Sequence, residues 1–149
     1  MTNNTFEHFP QPEWNDEDSV AGALDALRDA HEEAAADDAT DRFLWAIGNN
    51  HAGTFHPVVL AALPMLEQLL VDGSPWTQRA VLEALIDLGS TFVPEPGHET
   101  YLGDAVQDAV RDFVRSLRPR VAPLADADDA RGRSAAELLE WIDDLGDAA

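Results

Sequence analysis

Residues 62–89 read ALPMLEQLLVDGSPWTQRAVLEALIDLG and contain two helical patterns separated by a sharp turn. On both sides of the turn, leucines recur at intervals of three and four, the spacing of one face of an α-helix. The turn at residues 71–73 is followed by Ser74 and Pro75, an N-cap and a first-turn proline that are typical of a helix start. Pro64 lies inside the first pattern, where we expect a kink. The segment predicts a helical hairpin.

Helical spacing continues through most of the chain, and no strand-like alternation of apolar and polar residues competes with it. Clusters of glycine, asparagine and proline divide the pattern into segments, and the longest loop covers residues 90–103. We therefore expect an all-α fold of about six helices. The predicted helices lie near residues 19–30, 39–47, 57–72, 75–89, 104–117 and 134–145.

The N-terminus differs in character from the rest of the chain. Residues 1–16 hold two prolines, three asparagines and isolated aromatic residues, which predicts an extended N-terminal arm. Residues 17–149 are expected to form a single helical domain, because 149 residues suit one domain of ordinary size. The sequence has no cysteine, no secretory signal and no apolar run long enough to cross a bilayer. These features predict a cytoplasmic protein that does not enter membranes.

Acidic residues dominate the charge of the chain. Twenty-nine aspartates and glutamates face nine arginines, and the net charge is −20. Residues 1–41 carry twelve acids and one arginine (−11), residues 121–149 carry eight acids and two arginines (−6), and residues 101–120 come to +1. Such a charge repels nucleic-acid phosphates and anionic lipids, and it attracts a basic protein partner. A purely solubilising role for the acidity stays open.

A second segment repeats part of the hairpin pattern. Residues 121–146 contain Pro123 and leucine, a turn with aspartate, and then arginines, alanines and leucines in the order seen in residues 62–89. This order resembles the HEAT-repeat family, whose units join a proline-containing helix A to helix B through an aspartate turn. Thr77 and Gln78 depart from that pattern, which usually has valine and arginine there. The resemblance covers about two thirds of the chain and implies a short right-handed α-solenoid of stacked hairpins.

Stacked hairpins leave an extended surface for a partner, so the resemblance implies a non-enzymatic protein–protein interaction module without a cofactor. Residues 51–57, 62–64 and 94–100 are also similar to small bacterial HEAT-like proteins of toxin–immunity systems. That likeness implies an acidic immunity protein that neutralises a basic, nuclease-like toxin. We expect the partner to contact the second helix of the first hairpin and the long loop, through Trp76, Gln78, Glu83, Asp87, Glu95, His98, Glu99 and Tyr101.

Two other functions stay open. One is a metal-dependent enzyme that uses His51, His56, His98 and Glu99, because imidazole and carboxylate groups bind zinc and divalent iron. These loops lack the short, fixed ligand spacing of known metal sites, which favours loop-capping roles for the four residues. The other is a structural subunit of a larger complex.

The tryptophans on the helices have different expected roles. Trp76 follows the Ser-Pro cap and is expected to be partly exposed, as an interface anchor would be. Trp45 and Trp141 fall on apolar helix faces, and we expect both of them in the core.

Overall fold

The computed structural model describes residues 6–147 and is predominantly helical. The expectation of a strand-free chain is wrong in detail, because short two-residue strands occur between the helices. No helix of the described part combines the length and the apolar character needed to cross a bilayer. In chain order the elements are α1 (Ser19–Arg28), α2 (Glu33–Ile47), β1 (Gly48–Asn49), β2 (Thr54–Phe55), α3 (Val59–Asp72), α4 (Pro75–Gly89), β3 (Val93–Pro94), β4 (Thr100–Tyr101), β5 (Asp104–Ala105), α5 (Val106–Ser116), α6 (Arg118–Val121), a 3-10 helix (Ala122–Asp126) and α7 (Ala130–Asp147).

Local sequence explains where the helices begin. The Ser74 hydroxyl accepts a hydrogen bond from the Thr77 amide at 3.2 Å, so the predicted cap forms and α4 starts at Pro75 as expected. Helix α2 starts at Glu33, six residues before the predicted start, and α7 starts at Ala130, four residues early. These added turns carry few large apolar side chains, although their alanines, Glu33, Arg131 and Arg133 favour helix. Apolar spacing alone therefore misses them.

The strands form two small sheets. β1 pairs antiparallel with β2, β2 pairs parallel with β3, and β4 pairs antiparallel with β5. A side chain at Gly48 would place its Cβ 2.0 Å from the Thr54 carbonyl oxygen, so glycine permits the close approach of β1 and β2. Strands of two residues are too short to produce an alternating pattern, which is why the sequence did not reveal them.

Helices α2, α4 and α7 lie side by side and run in the same direction. Near the starts of α2 and α4, Ser74 Oγ donates to the Ala30 carbonyl at 2.9 Å. At their far ends, β1 after α2 and β3 after α4 meet in one sheet. Between α4 and α7, the Arg131 guanidinium bonds Gln78 and, one turn later, the Ser134 hydroxyl bonds Glu83. The described part thus contains three adjacent, parallel helices, while the right-handed solenoid of stacked hairpins stays a prediction.

The hydrophobic core surrounds α4, which contacts α1, α2, α3, α5 and α7. Full burial of a leucine or phenylalanine stabilises the fold by about 1.5–3 kcal/mol each. The largest fully buried side chains include Phe43, Phe55, Leu27, Ile47, Leu63, Leu66, Leu82, Leu85, Leu88, Leu117 and Leu138.

The described part of the N-terminal arm lies against the helices. Phe6 is buried, and Phe9 stacks on Tyr101 with ring centroids 5.0 Å apart. The Val58 amide donates to the Pro10 carbonyl at 3.0 Å, and Trp14 Nε1 donates to the Trp45 carbonyl at 3.1 Å. Aromatic packing and backbone hydrogen bonds thus fix the arm beside the ends of α2 and the long loop.

Candidate functional site

Helix α4 exposes a single narrow stripe, because neighbouring helices cover its other sides. Trp76, Arg79, Glu83 and Asp87 lie on this stripe at helical spacing and are partly exposed. Gln78, which the sequence placed among the partner contacts, is only 8% exposed. Its amide nitrogen donates to the Leu70 carbonyl at 2.8 Å. Gln78 therefore joins helices inside the fold, whereas Trp76, Glu83 and Asp87 reach the surface.

Four carboxylates from three helices meet on this surface: Asp41 of α2, Glu83 and Asp87 of α4, and Glu137 of α7. We call this group the acidic face. Burial raises the pKa of Asp87 above its ordinary value of 3.8, and the negative charges of Glu83, Asp41 and Glu137 raise it further, in that order. The fold thus brings acids from both negative ends of the chain beside α4.

None of the four carboxylates of the acidic face forms an ion pair with an arginine among the described residues, although Arg79 lies on the same stripe of α4. Ion pairs formed within residues 6–147 use other carboxylates, such as Asp37 with Arg79 and Asp129 with Arg131. Glu83 accepts a hydrogen bond from the Ser134 hydroxyl at 2.7 Å, which fixes one carboxylate without adding positive charge. The face consequently presents a concentrated negative potential on rigid helices.

A shallow groove on α7 extends the negative surface. Its lining includes Glu137, Glu140 and Asp144, together with Arg133 and the half-buried ring of Trp141. The groove has a volume of about 610 Å³. Glu137 belongs both to this groove and to the acidic face, so the two negative regions are continuous.

The four predicted contact residues of the long loop occupy separate environments. Glu95 accepts a hydrogen bond from the Thr54 hydroxyl at 2.6 Å, and Glu99 accepts one from the Gly97 amide at 3.1 Å. Tyr101 is half-buried against Phe9 of the arm. His98 packs on His56. These interactions hold the loop in place and leave Glu99 as its exposed acid.

His56 and His98 line a cleft between the long loop and the arm. Their ring centroids are 4.8 Å apart, and the cleft has a volume of about 360 Å³. His56 is 8% exposed, and its Nδ1 finds no hydrogen-bond partner among the described residues. Burial, followed by the neighbouring His98, lowers the pKa of His56 below 6.5, while Glu95 acts in the opposite direction. The ring is thus held in its neutral form.

Two of the four candidate metal ligands, His56 and His98, lie together, and the other two have separate contacts. The ring of His51 packs against Trp45, with the two ring centroids 5.6 Å apart. Glu99 bonds the backbone of its own loop. Within the part of the chain that the structure describes, no group of three or more histidine, aspartate or glutamate residues is arranged to hold a metal ion. The metal-dependent enzyme stays a prediction.

The tryptophans differ from expectation in one case. Trp45 was expected in the core, but it is 39% exposed and stacks on Trp14, with ring centroids 4.3 Å apart. The apolar face of α2 is buried without it, because Phe43, Leu44 and Ile47 fill that side of the helix. Trp76 and Trp141 are half-buried and pack against the core.

Residues that were not among the predicted partner contacts complete this surface. Asp41 and Trp45 are four residues apart on α2 and share one exposed side of the helix. The spacing of four residues between Asp41 and Trp45 could have predicted that they share one side of α2. Glu137 becomes recognisable only once α7 lies beside α4, and Trp14 only once the arm lies on α2.

Comparisons with models of protein families, with curated proteins and with solved structures find no match. The HEAT-like and immunity-type assignments therefore stay predictions.

Proposed function

We propose that this protein is a binding module that docks a basic protein on its acidic face. Support comes from one observation above all: four carboxylates from α2, α4 and α7 lie together, and none of them is in an ion pair within the described part of the chain. Placing like charges together costs folding free energy. A cationic partner would offset that cost when it binds.

The geometry also suits rapid and selective association. Negative potential steers a cationic partner during diffusion and discriminates against acidic surfaces and nucleic acids. The face lies on packed helices, so little conformational entropy is lost when the partner binds. The half-exposed rings of Trp76 on α4 and Trp141 on α7 lie on two of the helices that form the acidic face, and they add apolar contact area.

The sharper form of the proposal is an inhibitor of the immunity type. A basic enzyme that acts on nucleic acid carries positive charge around its active site, because its substrate is a polyanion. An acidic face on a small helical protein can cover such a site and compete with the substrate. The resemblance to HEAT-like immunity proteins and the net charge of −20 favour this version.

A matched pair of variants tests the proposal. The face variant carries Asp41→Asn, Glu83→Gln, Asp87→Asn and Glu137→Gln. The control variant neutralises four exposed acids elsewhere: Glu7→Gln, Glu17→Gln, Asp18→Asn and Asp29→Asn. Each set changes the net charge by four, from −20 to −16.

Octa-lysine serves as a basic probe in isothermal titration calorimetry at low and high salt. We expect the face variant to lose about tenfold or more of the wild-type affinity at low salt, since several close charge pairs disappear. The control variant should lose only the small part of the affinity that comes from long-range attraction to the net charge. Equal losses in the two variants would show that total charge matters and that the acidic face does not.

A further inference from the structure

A rigid aromatic pair lies beside the acidic face. The rings of Trp14 and Trp45 are nearly parallel, with an interplanar angle of 16°. Trp14 Nε1 donates to the Trp45 carbonyl, and Asn15 Nδ2 donates to the Ala46 carbonyl at 2.6 Å. Trp14 nevertheless stays 43% exposed and Trp45 39% exposed. Large, ordered and partly exposed tryptophans are typical of the residues that dominate binding energy at interfaces.

The aromatic pair is continuous with the acidic face. Asp41 lies one helical turn before Trp45 on the same side of α2, and it is close enough to Asp87 to influence its ionisation. Glu13 is exposed and directly precedes Trp14. Carboxylates are therefore available next to both tryptophans.

Arg42 of α2 lines the same shallow pocket as Trp14 and Trp45, but its guanidinium reaches toward α1. A methyl group at Gly22 would lie 2.6 Å from Arg42 Nη2, so the guanidinium occupies the space that this glycine leaves on α1. The cation–π contact found in the described residues is Arg79 over Trp76, at 5.9 Å from the ring centroid. Although His51 packs against Trp45, both tryptophans stay partly exposed, and neither is in a cation–π contact within the described residues.

We infer that the Trp14–Trp45 stack is the aromatic anchor of this docking surface and binds an arginine side chain of the basic partner. The inference rests on the proposed function. A planar guanidinium can stack on an indole while its N–H groups donate to the carboxylates of Glu13 or Asp41. The compact, strongly hydrated ammonium of lysine gains less from the same site. The stack therefore selects arginine over lysine at equal charge.

Octa-arginine and octa-lysine, which carry the same side-chain charge, test this selection. Calorimetry on the wild-type protein should show about fivefold tighter binding of octa-arginine. Trp45→Leu should abolish most of that preference, and Trp45→Tyr, which keeps an aromatic ring, should retain most of it. In NMR spectra, octa-arginine should shift the indole N–H signals of Trp14 and Trp45 more than those of Trp76 and Trp141.

The outcomes separate this inference from the proposed function. Equal wild-type affinities for the two peptides, or an arginine preference that survives Trp45→Leu, would overturn the inference and leave the acidic face untouched. If instead the face variant and its control bind both peptides equally, the proposed function fails. The wild-type comparison requires no substitution, so a folding defect in a variant cannot hide the result.

Discussion

Arg131 Nη1 donates a 2.7 Å hydrogen bond to Gln78 Oε1, and this contact joins the start of α7 to α4. The Gln78 amide nitrogen simultaneously bonds the Leu70 carbonyl near the end of α3. One buried side chain thus links three helices. The same position departs from the HEAT-like sequence pattern, and its contacts give the physical reason for a glutamine there.

Gln78→Ala should lower the free energy of unfolding by about 2–3 kcal/mol, because it leaves the Leu70 carbonyl unsatisfied and opens a small cavity. Chemical denaturation monitored by circular dichroism measures the change. Gln68→Ala is the control, since Gln68 is exposed on α3 and bonds Asp72 at the surface. If Gln78→Ala lowers the free energy of unfolding no more than Gln68→Ala does, the role of Gln78 in joining the three helices is contradicted.

Asp87→Asn should raise the stability at neutral pH. Burial and the nearby Glu83, Asp41 and Glu137 raise the pKa of Asp87 in the folded state, so ionisation costs folding free energy as the pH rises through that pKa. Below the unfolded value of 3.8 the cost is absent, and the advantage of the variant should vanish there. Asp38→Asn, at an exposed acid of α2, is the control.

The same Asp87→Asn variant should bind octa-lysine more weakly than the wild type does. A substitution that stabilises the fold while weakening binding indicates that the carboxylate is kept for binding. Unfolding curves at several pH values and calorimetry with octa-lysine provide the two measurements. Loss of stability at neutral pH would contradict the electrostatic account of the acidic face.

The contribution of His56 to the stability should fall as the pH drops below about 6.5. Burial and His98 lower the folded-state pKa of His56, against the opposing effect of Glu95, so its contribution is present above the unfolded value of 6.5 and is lost as the pH falls through the folded-state pKa. His56→Leu should flatten this part of the pH profile, whereas His31→Leu, at an exposed site, should not. If the free energy of unfolding depends on pH in the same way in the wild type and in His56→Leu, His56 does not contribute to this pH dependence.

Leu102 occupies a left-handed backbone conformation, with φ of 52°, in the two-residue turn between β4 and β5. This conformation suits asparagine or glycine and is strained for leucine. The side chain is 86% exposed, so little burial compensates for the strain. Leu102→Asn should raise the free energy of unfolding by about 0.5–1 kcal/mol, and Gly103→Ala, at φ of 90°, should lower it. A destabilised Leu102→Asn protein would show that the exposed leucine makes a stabilising contact.

The helices of this protein are more predictable from the sequence than its acidic face is. The apolar spacing and the Ser74-Pro75 start defined α4 at both ends, because local signals determine that helix. The prediction of a core position for Trp45 is wrong, because helix spacing does not show how many of the apolar residues the neighbouring helix can cover. Asp41 and Glu137 are nearly a hundred residues apart in sequence, and only the stacking of α2, α4 and α7 brings them to Asp87.

Mapping the binding of octa-lysine on the wild-type protein by backbone amide NMR tests the acidic face most directly. The proposed function predicts that the largest chemical-shift changes centre on Asp41, Glu83, Asp87 and Glu137 and weaken with added salt. Changes of similar size at Glu7, Glu17, Asp18 and Asp29 would contradict it, since the peptide would then be following net charge rather than a site.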